Sequence, residues 1–224
     1  RSIALSCLEH FQRNEQGQLE SKDPEYVHQA RVALRRLRSA IKLFTPVLPQ
    51  DFVSAYGETW RTLASALGDA RNWDVFLDET LPPISAAFPK HRDIGRLNQE
   101  GTRRARRARK AIISLLALAE YPKLITEFTA AVFALNDLLP LRLNEFAKTQ
   151  IARHARKAQR LARRHAELDA AERHKMRICF KKLRYSLEFF APLLPKNPLR
   201  PYLAALNQLQ DELGLINDHI TAET

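Results

Sequence analysis

The sequence predicts an all-α protein built around an internal duplication. Its 224 residues include only 6 Gly, and no stretch shows the sustained period-two alternation of a half-buried β-strand. Apolar residues recur instead at steps of three and four, which places them on one face of a helix. The segment 27–49 also reappears further along the chain, and such a repeat predicts two pseudo-symmetric halves.

Caps, apolar steps and helix breakers predict the elements of the first half. The first helix begins at Asp23-Pro24, because proline is favoured in the first helical turn, and it ends near Thr45-Pro46. The second helix is expected from about Asp51 to Leu67, with Gly68 as its stop signal. The third is expected from about Asn72 to Ala87.

The rest of the chain is also predicted to be helical. A long and very basic helix runs from about Arg92 to Glu120, and Pro122 and Pro140 interrupt the middle of the chain. We therefore expect one domain over residues 1–224, made of two halves of about 1–120 and about 121–224. The remaining helices are predicted over about 141–165, 170–192 and 198–213, with Gly214 ending the last.

The repeat is detailed enough to define a register. VHQARVALRRLRSAIKLFTPVLP begins at Val27 and RHKMRICFKKLRYSLEFFAPLLP begins at Arg173, an offset of 146 residues. The pair Leu67-Gly68 downstream has its counterpart in Leu213-Gly214 at the same offset. Two merely similar amphipathic helices would not match at so many positions, so a duplicated helical unit is the favoured interpretation.

Each copy of the repeated helix carries a stripe of cations opposite its apolar face, at about 100° per residue. A solvated basic face is the simpler interpretation of one stripe, but its presence in both copies favours anion binding. The copies differ where Glu188 replaces Lys42, which should shorten the second stripe or close it with an ion pair. The first stripe consists of His28, Arg31, Arg35, Arg38 and Lys42, and the second stripe of His174, Arg177, Lys181 and Arg184.

Two other basic runs supplement the stripes. Arginine is the main cation in both runs, and its guanidinium group binds phosphate oxygens through paired hydrogen bonds. Positive charge spread over several helices fits an extended polyanion better than a mononucleotide. The supplementary candidates are Arg103 and Arg107 in one run and Arg153, Arg156, Lys157 and Arg160 in the other.

Composition narrows the class of protein further. The formal net charge is +11 and 45% of residues are hydrophobic, which indicates a folded, basic domain with an anionic partner. Two cysteines cannot form a disulfide scaffold or a cysteine-based zinc site, and no secretory signal or bilayer-length apolar run is visible, so we expect a cytoplasmic protein. Because the chain begins at Arg1, we expect it to be a fragment of a longer protein.

The stripes, together with LGDARNWDV at 67–75 and LQDELGLIND at 209–218, resemble the CHAD (conserved histidine α-helical domain) family over about 23–218. The resemblance implies two antiparallel four-helix bundles that bind inorganic polyphosphate on a basic surface or central channel, with association to polyphosphate granules. The second half lacks the Ala-Arg-Asn-Trp-Asp segment of the first, so Arg71 and Asp74 have no twin and are weaker candidates for a symmetric ligand role. Carried onto this chain, the resemblance adds Arg36, Lys182 and Tyr185 to the polyphosphate-binding residues, and of these Arg36 and Lys182 lie off the stripes.

Other functions are weighed against this one. The sequence has no nucleotide-binding loop and no nucleophile or metal motif, so we expect no catalysis, metal or cofactor. The acidic cluster Asp69, Asp74, Asp78 and Glu79 is more simply explained by ion pairs and helix N-terminal carboxylates. A nucleic-acid-binding module is the main alternative, and an accessory role beside an N-terminal CYTH-type triphosphatase domain stays open.

Overall fold

The computed structural model describes residues 1–135 and 142–222, with side chains described as far as residue 214 in the last helix. The regular structure within these ranges is helical throughout, which confirms the all-α prediction. Expectations for Pro140, for a helix start at Leu141 and for the side chains at 215–218 lie outside this description. The helices are α1 (Ser2–Arg13), α2 (Glu15–Glu20), α3 (Pro24–Phe44), α4 (Gln50–Val75), α5 (Leu81–Ala87), α6 (Arg92–Leu116), α7 (Glu120–Ala134), α8 (Leu143–Ala162), α9 (Ala170–Phe189) and α10 (Lys196–Ala222).

The helix that carries the first stripe begins where the sequence predicts. Asp23 caps α3, since its side chain accepts a hydrogen bond from the backbone N–H of Glu25 at 2.9 Å, and Pro24 occupies the first turn. α3 ends at Phe44 and leads into a 3₁₀ turn at Thr45–Val47.

The repeat is present in the element boundaries. α9 begins at Ala170, 146 residues after the start of α3, and Asp169 caps it in a capping box with Glu172. The 3₁₀ turn Ala191–Leu193 follows the 3₁₀ turn Thr45–Val47 at the same offset. The start of α10 follows the start of α4 at this offset too. The unit α3–turn–α4 is therefore repeated as α9–turn–α10.

The two glycine stop signals are wrong. α4 continues through Gly68 to Val75, and α10 continues through Gly214. Neither glycine has a positive φ, so neither adopts the left-handed conformation that ends many helices. For the same reason no new helix begins near Asn72; α4 passes into a π-helical turn at Phe76–Thr80 before α5.

The chain packs as two compact units, Arg1–Asn136 and Asp137–Thr224. In the first unit, α3 packs against α1 and α4 around a core that includes the fully buried Trp60 and Phe128. In the second unit, α9 packs against α8 and α10 around Cys179, Leu183 and neighbouring apolar side chains. Among the described helices, none contains a segment that is apolar over enough length to cross a membrane.

Candidate anion-binding site

The first stripe lies on α3 opposite the face that forms the core. Leu34, Leu37 and Ile41 are buried against the neighbouring helices, as the apolar spacing predicts. On the other face, the stripe side chains are half-buried except for Lys42, which is exposed. Half-burial of a long cationic side chain is compatible with packing of its methylene stem on the protein.

The second stripe occupies the corresponding face of α9. Met176, Leu183 and Leu187 are buried on the apolar face. Among the stripe residues, His174 is exposed, whereas its counterpart His28 is half-buried. The other members of the second stripe, Arg177, Lys181 and Arg184, are half-buried.

A glycine of the following helix lies beside the same arginine in both units. A Cβ built on Gly68 would lie 3.7 Å from Nε of Arg31, and one built on Gly214 would lie 3.4 Å from Nη2 of Arg177. The two pairs are related by the 146-residue offset, so both units pack this arginine on the next helix in the same way. This close approach was missed by sequence reasoning, although the repeated Leu-Gly pair was its signal.

His28 lies in a strongly positive environment. Its Nδ1 is buried and has no hydrogen-bond partner. Burial lowers the pKa of His28 most, the positive charge of Arg71 lowers it next, and Glu25 opposes both; Arg35 and Arg31 lower it further. The ring is therefore held in its neutral form over a wider pH range, and an anion bound beside these arginines would favour its protonation.

Arg71 acts electrostatically on the first stripe, although it has no twin in the second half. Its side chain is 19% exposed and pairs with Glu79 at 3.1 Å, and its charge acts on His28. Arg109 likewise donates to the buried Asp74 at 2.9 Å and to the carbonyl of Lys22 at 2.9 Å. The ion-pair interpretation of Glu79 and Asp74 is therefore confirmed. The helix N-terminal interpretation is wrong for Asp69 and Asp74, because both lie in the last turns of α4.

The second stripe ends in the ion pair that the sequence suggests. Nη1 of Arg184 donates to Oε1 of Glu188 at 3.1 Å and to Oδ1 of Asn207 at 3.0 Å. The guanidinium carbon lies 4.9 Å from the centre of the Tyr185 ring. These contacts hold Arg184 within the second unit.

The three residues that the family resemblance adds to the stripes have internal neighbours. Arg36 hydrogen-bonds Cys7 of α1, where burial raises the pKa of the thiol and Arg36 partly offsets that rise. Lys182 lies close enough to His154 of α8 to lower the pKa of that histidine. Tyr185 is 3% exposed and stacks on Phe189, so its ring does not line an exposed surface.

The supplementary cations lie on α6 and α8. Arg103 hydrogen-bonds Glu100 at 2.7 Å, and this bond, with that from Arg104, lowers the pKa of Glu100 to about 2. Arg104 also lies over the Trp73 ring, with its guanidinium carbon 5.3 Å from the ring centre. Glu100 therefore balances part of the charge on α6, while the side chains of Arg107, Arg153, Arg156, Lys157 and Arg160 are exposed.

Comparisons with known proteins agree with this architecture. The model of the CHAD domain family matches residues 2–224. The crystal structure of the CHAD domain from the plant Ricinus communis is 37% identical with a TM-score of 0.83, and the match covers 98% of this chain and 74% of that one. PptA from Streptomyces chartreusis is 15% identical with a TM-score of 0.66, covering 93% of this chain and 80% of that one, which is a likeness of fold alone.

No curated protein matches the chain. The family match nevertheless spans nearly all of it, and the related plant domain exceeds 30% identity over most of both chains. The chain therefore belongs to the CHAD domain family.

Proposed function

We propose that this domain binds inorganic polyphosphate through the first and second stripes and catalyses no reaction. The observation that carries the proposal is the duplicated arginine packing, in which Arg31 and Arg177 lie against Gly68 and Gly214. A solvated basic face would not require the same arginine to be packed against the same glycine in both units. We further propose that the two units are the related four-helix bundles implied by the family, and that the domain targets its protein to polyphosphate granules.

Electrostatics favour a linear polyanion as the ligand. Successive stripe positions on α3 are three or four residues apart, which is roughly 4.5–6 Å along a helix axis. Phosphates along a flexible chain can meet such a row of donors in succession. Binding of this kind gains free energy from charge-assisted hydrogen bonds and counterion release, so it should weaken steeply as salt rises.

Polyphosphate is favoured over nucleic acid because neither stripe carries an exposed aromatic ring on which a base could stack. Proteins that bind single strands stack bases on exposed aromatic rings. In the part of the chain with described side chains, the markedly exposed aromatic residues Tyr26, Phe88, Phe133 and Tyr202 belong to neither stripe. Polyphosphate has no bases to stack, so the absence of exposed aromatic rings does not weaken its binding to the arginines.

Charge reversal of the first stripe tests the proposal. The triple variant Arg31→Glu, Arg35→Glu and Arg38→Glu should lose polyphosphate binding while keeping its far-ultraviolet circular dichroism, because these side chains lie opposite the core. Equal affinity in the stripe variant and its control would refute the site. The matched control reverses Arg13, Arg96 and Arg142, which are 74%, 83% and 84% exposed and each paired only locally within the described contacts.

Competition distinguishes polyphosphate from nucleic acid. Long-chain polyphosphate should displace labelled RNA and DNA from the domain when all are compared at equal phosphate concentration. RNA that competes as well as polyphosphate would instead support the nucleic-acid-binding function.

A further inference from the structure

The last arginine of the second stripe donates to two internal acceptors through one guanidinium nitrogen, Nη1, while its buried Nε has no hydrogen-bond partner. Arg184 is 19% exposed and donates to Glu188 and Asn207 at 3.1 Å and 3.0 Å, while Tyr185 lies against its guanidinium group at 4.9 Å. A carboxylate and an amide oxygen thus occupy the direction in which Nη1 would otherwise meet a phosphate oxygen.

None of these three neighbours is kept in the first unit. With the 146-residue offset, Tyr185 corresponds to Ser39, Glu188 to Lys42 and Asn207 to Arg61. Ser39 donates to the carbonyl of Arg35 at 2.8 Å, and Arg61 pairs with Glu58 of its own helix, with Nε at 2.9 Å from the carboxylate. Lysine and arginine carry only donors, so Lys42 and Arg61 cannot accept a hydrogen bond from Arg38 as Glu188 and Asn207 do from Arg184.

The charge difference between the stripes is therefore concentrated at one end. At the position of Glu188, the first stripe carries the exposed cation Lys42. The change from glutamate to lysine alters the local charge by two units and removes the ion pair with the preceding arginine. Arg71, which adds positive charge beside His28, has the uncharged Asn217 as its sequence counterpart.

We infer that Glu188 is an internal anion that competes with phosphate for Arg184 and makes the second stripe bind the polyanion more weakly than the first stripe does. The inference rests on the proposed polyphosphate binding. The first stripe then binds the polyanion as far as Lys42, about one helical turn further than the second stripe. Arg184 is primarily a structural cation, held for the packing of α9 on α10.

Single substitutions at equivalent positions test this inference. Glu188→Gln replaces the carboxylate by a neutral amide whose oxygen is a weaker acceptor for Arg184. It should tighten binding of long-chain polyphosphate several-fold and steepen the plot of log affinity against log salt by up to about 0.7, the increment for one further contact to a single-stranded polyanion. Lys42→Gln should weaken binding and make the plot shallower by about 0.7 for the same reason. Glu188→Lys, which restores the cation of the first copy, should exceed Glu188→Gln in both respects.

Glu212→Gln is the matched control for net charge. Glu212 lies on α10 and accepts a hydrogen bond from Gln208 of the same helix at 3.2 Å, so its substitution raises the net charge equally without releasing Arg184. We expect less than about a twofold change in affinity and no change of slope. If Glu188→Gln and Glu188→Lys tighten binding no more than Glu212→Gln does, the inference is wrong.

The experiment separates this inference from the proposal beneath it. Binding by the unsubstituted domain, with equal effects at Glu188 and Glu212, would leave the proposed function intact and remove only the role of Glu188. Absence of salt-sensitive binding by the unsubstituted domain would overturn both. Circular dichroism and the thermal midpoint of each variant show that the compared proteins are folded.

Discussion

We predict that the second unit loses stability in acid because of one partly buried histidine, His154. Nδ1 of His154 lies 2.5 Å from Oγ of Ser186, which in turn donates to the carbonyl of Lys182 at 2.7 Å. The ring nitrogen must therefore donate to the hydroxyl oxygen. Burial, followed by the positive charges of Arg153, Lys182 and Lys157, lowers the pKa of His154 from 6.5 to about 4.

The sign and size of the effect follow from this pKa. Between pH 6.5 and about 4 the unfolded chain binds a proton at His154 that the folded chain does not, so stability is full above pH 6.5 and falls as the pH decreases. From pH 7 to pH 5 the full shift corresponds to about 2 kcal/mol, which solvent screening of a partly exposed ring reduces to about 1 kcal/mol.

Urea unfolding at pH 7 and pH 5 measures this loss. His154→Gln keeps an amide that can donate to Ser186 but cannot titrate, so this variant should lose about 1 kcal/mol less than the unsubstituted domain over that interval. Saturating polyphosphate should also reduce the loss in the unsubstituted domain, because it offsets the cations around His154. An unchanged pH dependence in His154→Gln would refute the reasoning.

Two further predictions concern stability alone, both read from the urea midpoint. Gly57→Ala should stabilise by about 0.5–1 kcal/mol, since its Cβ would meet nothing within 4 Å, whereas Gly101→Ala should destabilise by about 1–3 kcal/mol, since its Cβ would lie 3.1 Å from the Phe76 ring. Changes in stability of the same sign in the two variants would contradict this prediction. Arg109→Ala should cost about 3 kcal/mol by leaving the buried Asp74 without its partner at 2.9 Å, and a loss below about 1 kcal/mol would contradict that.

Local signals in the sequence were sufficient for the helical class, for the start of α3 and for both stripes, whereas α1, α2 and α7 were not predicted and α4 was predicted to end too early. Asp23 and Pro24 define the start of α3 through a cap and a preset φ, and these depend only on neighbouring residues. Gly68 and Gly214 were misinterpreted because helix termination by glycine requires a positive φ, whereas here neither glycine has one and each lies inside a helix beside an arginine of the preceding repeat helix. That contact is tertiary, and only the repeat pointed towards it.

The environment of each site residue was harder to predict than its position. The spacing placed Arg184 on the second stripe, and the substitution at Glu188 suggested an ion pair, which the structure contains. The contact with Asn207 and the burial of Tyr185 depend on how α9 packs, which helical periodicity does not specify. The charge of Arg71 near His28 likewise arises from the packing of α4 on α3.

The most direct test of the central claim is a titration of the domain with long-chain polyphosphate at about 50 mM and 200 mM salt, with tripolyphosphate and RNA as competitors at equal phosphate concentration. The three arginines and the lysine of the first stripe would make four contacts. At about 0.7 counterions per contact, these four alone predict a loss of roughly 50-fold in affinity between the two salt concentrations. We expect tight binding at low salt, that loss at high salt, and displacement of RNA by polyphosphate. Salt-independent binding, or no binding, would contradict the account.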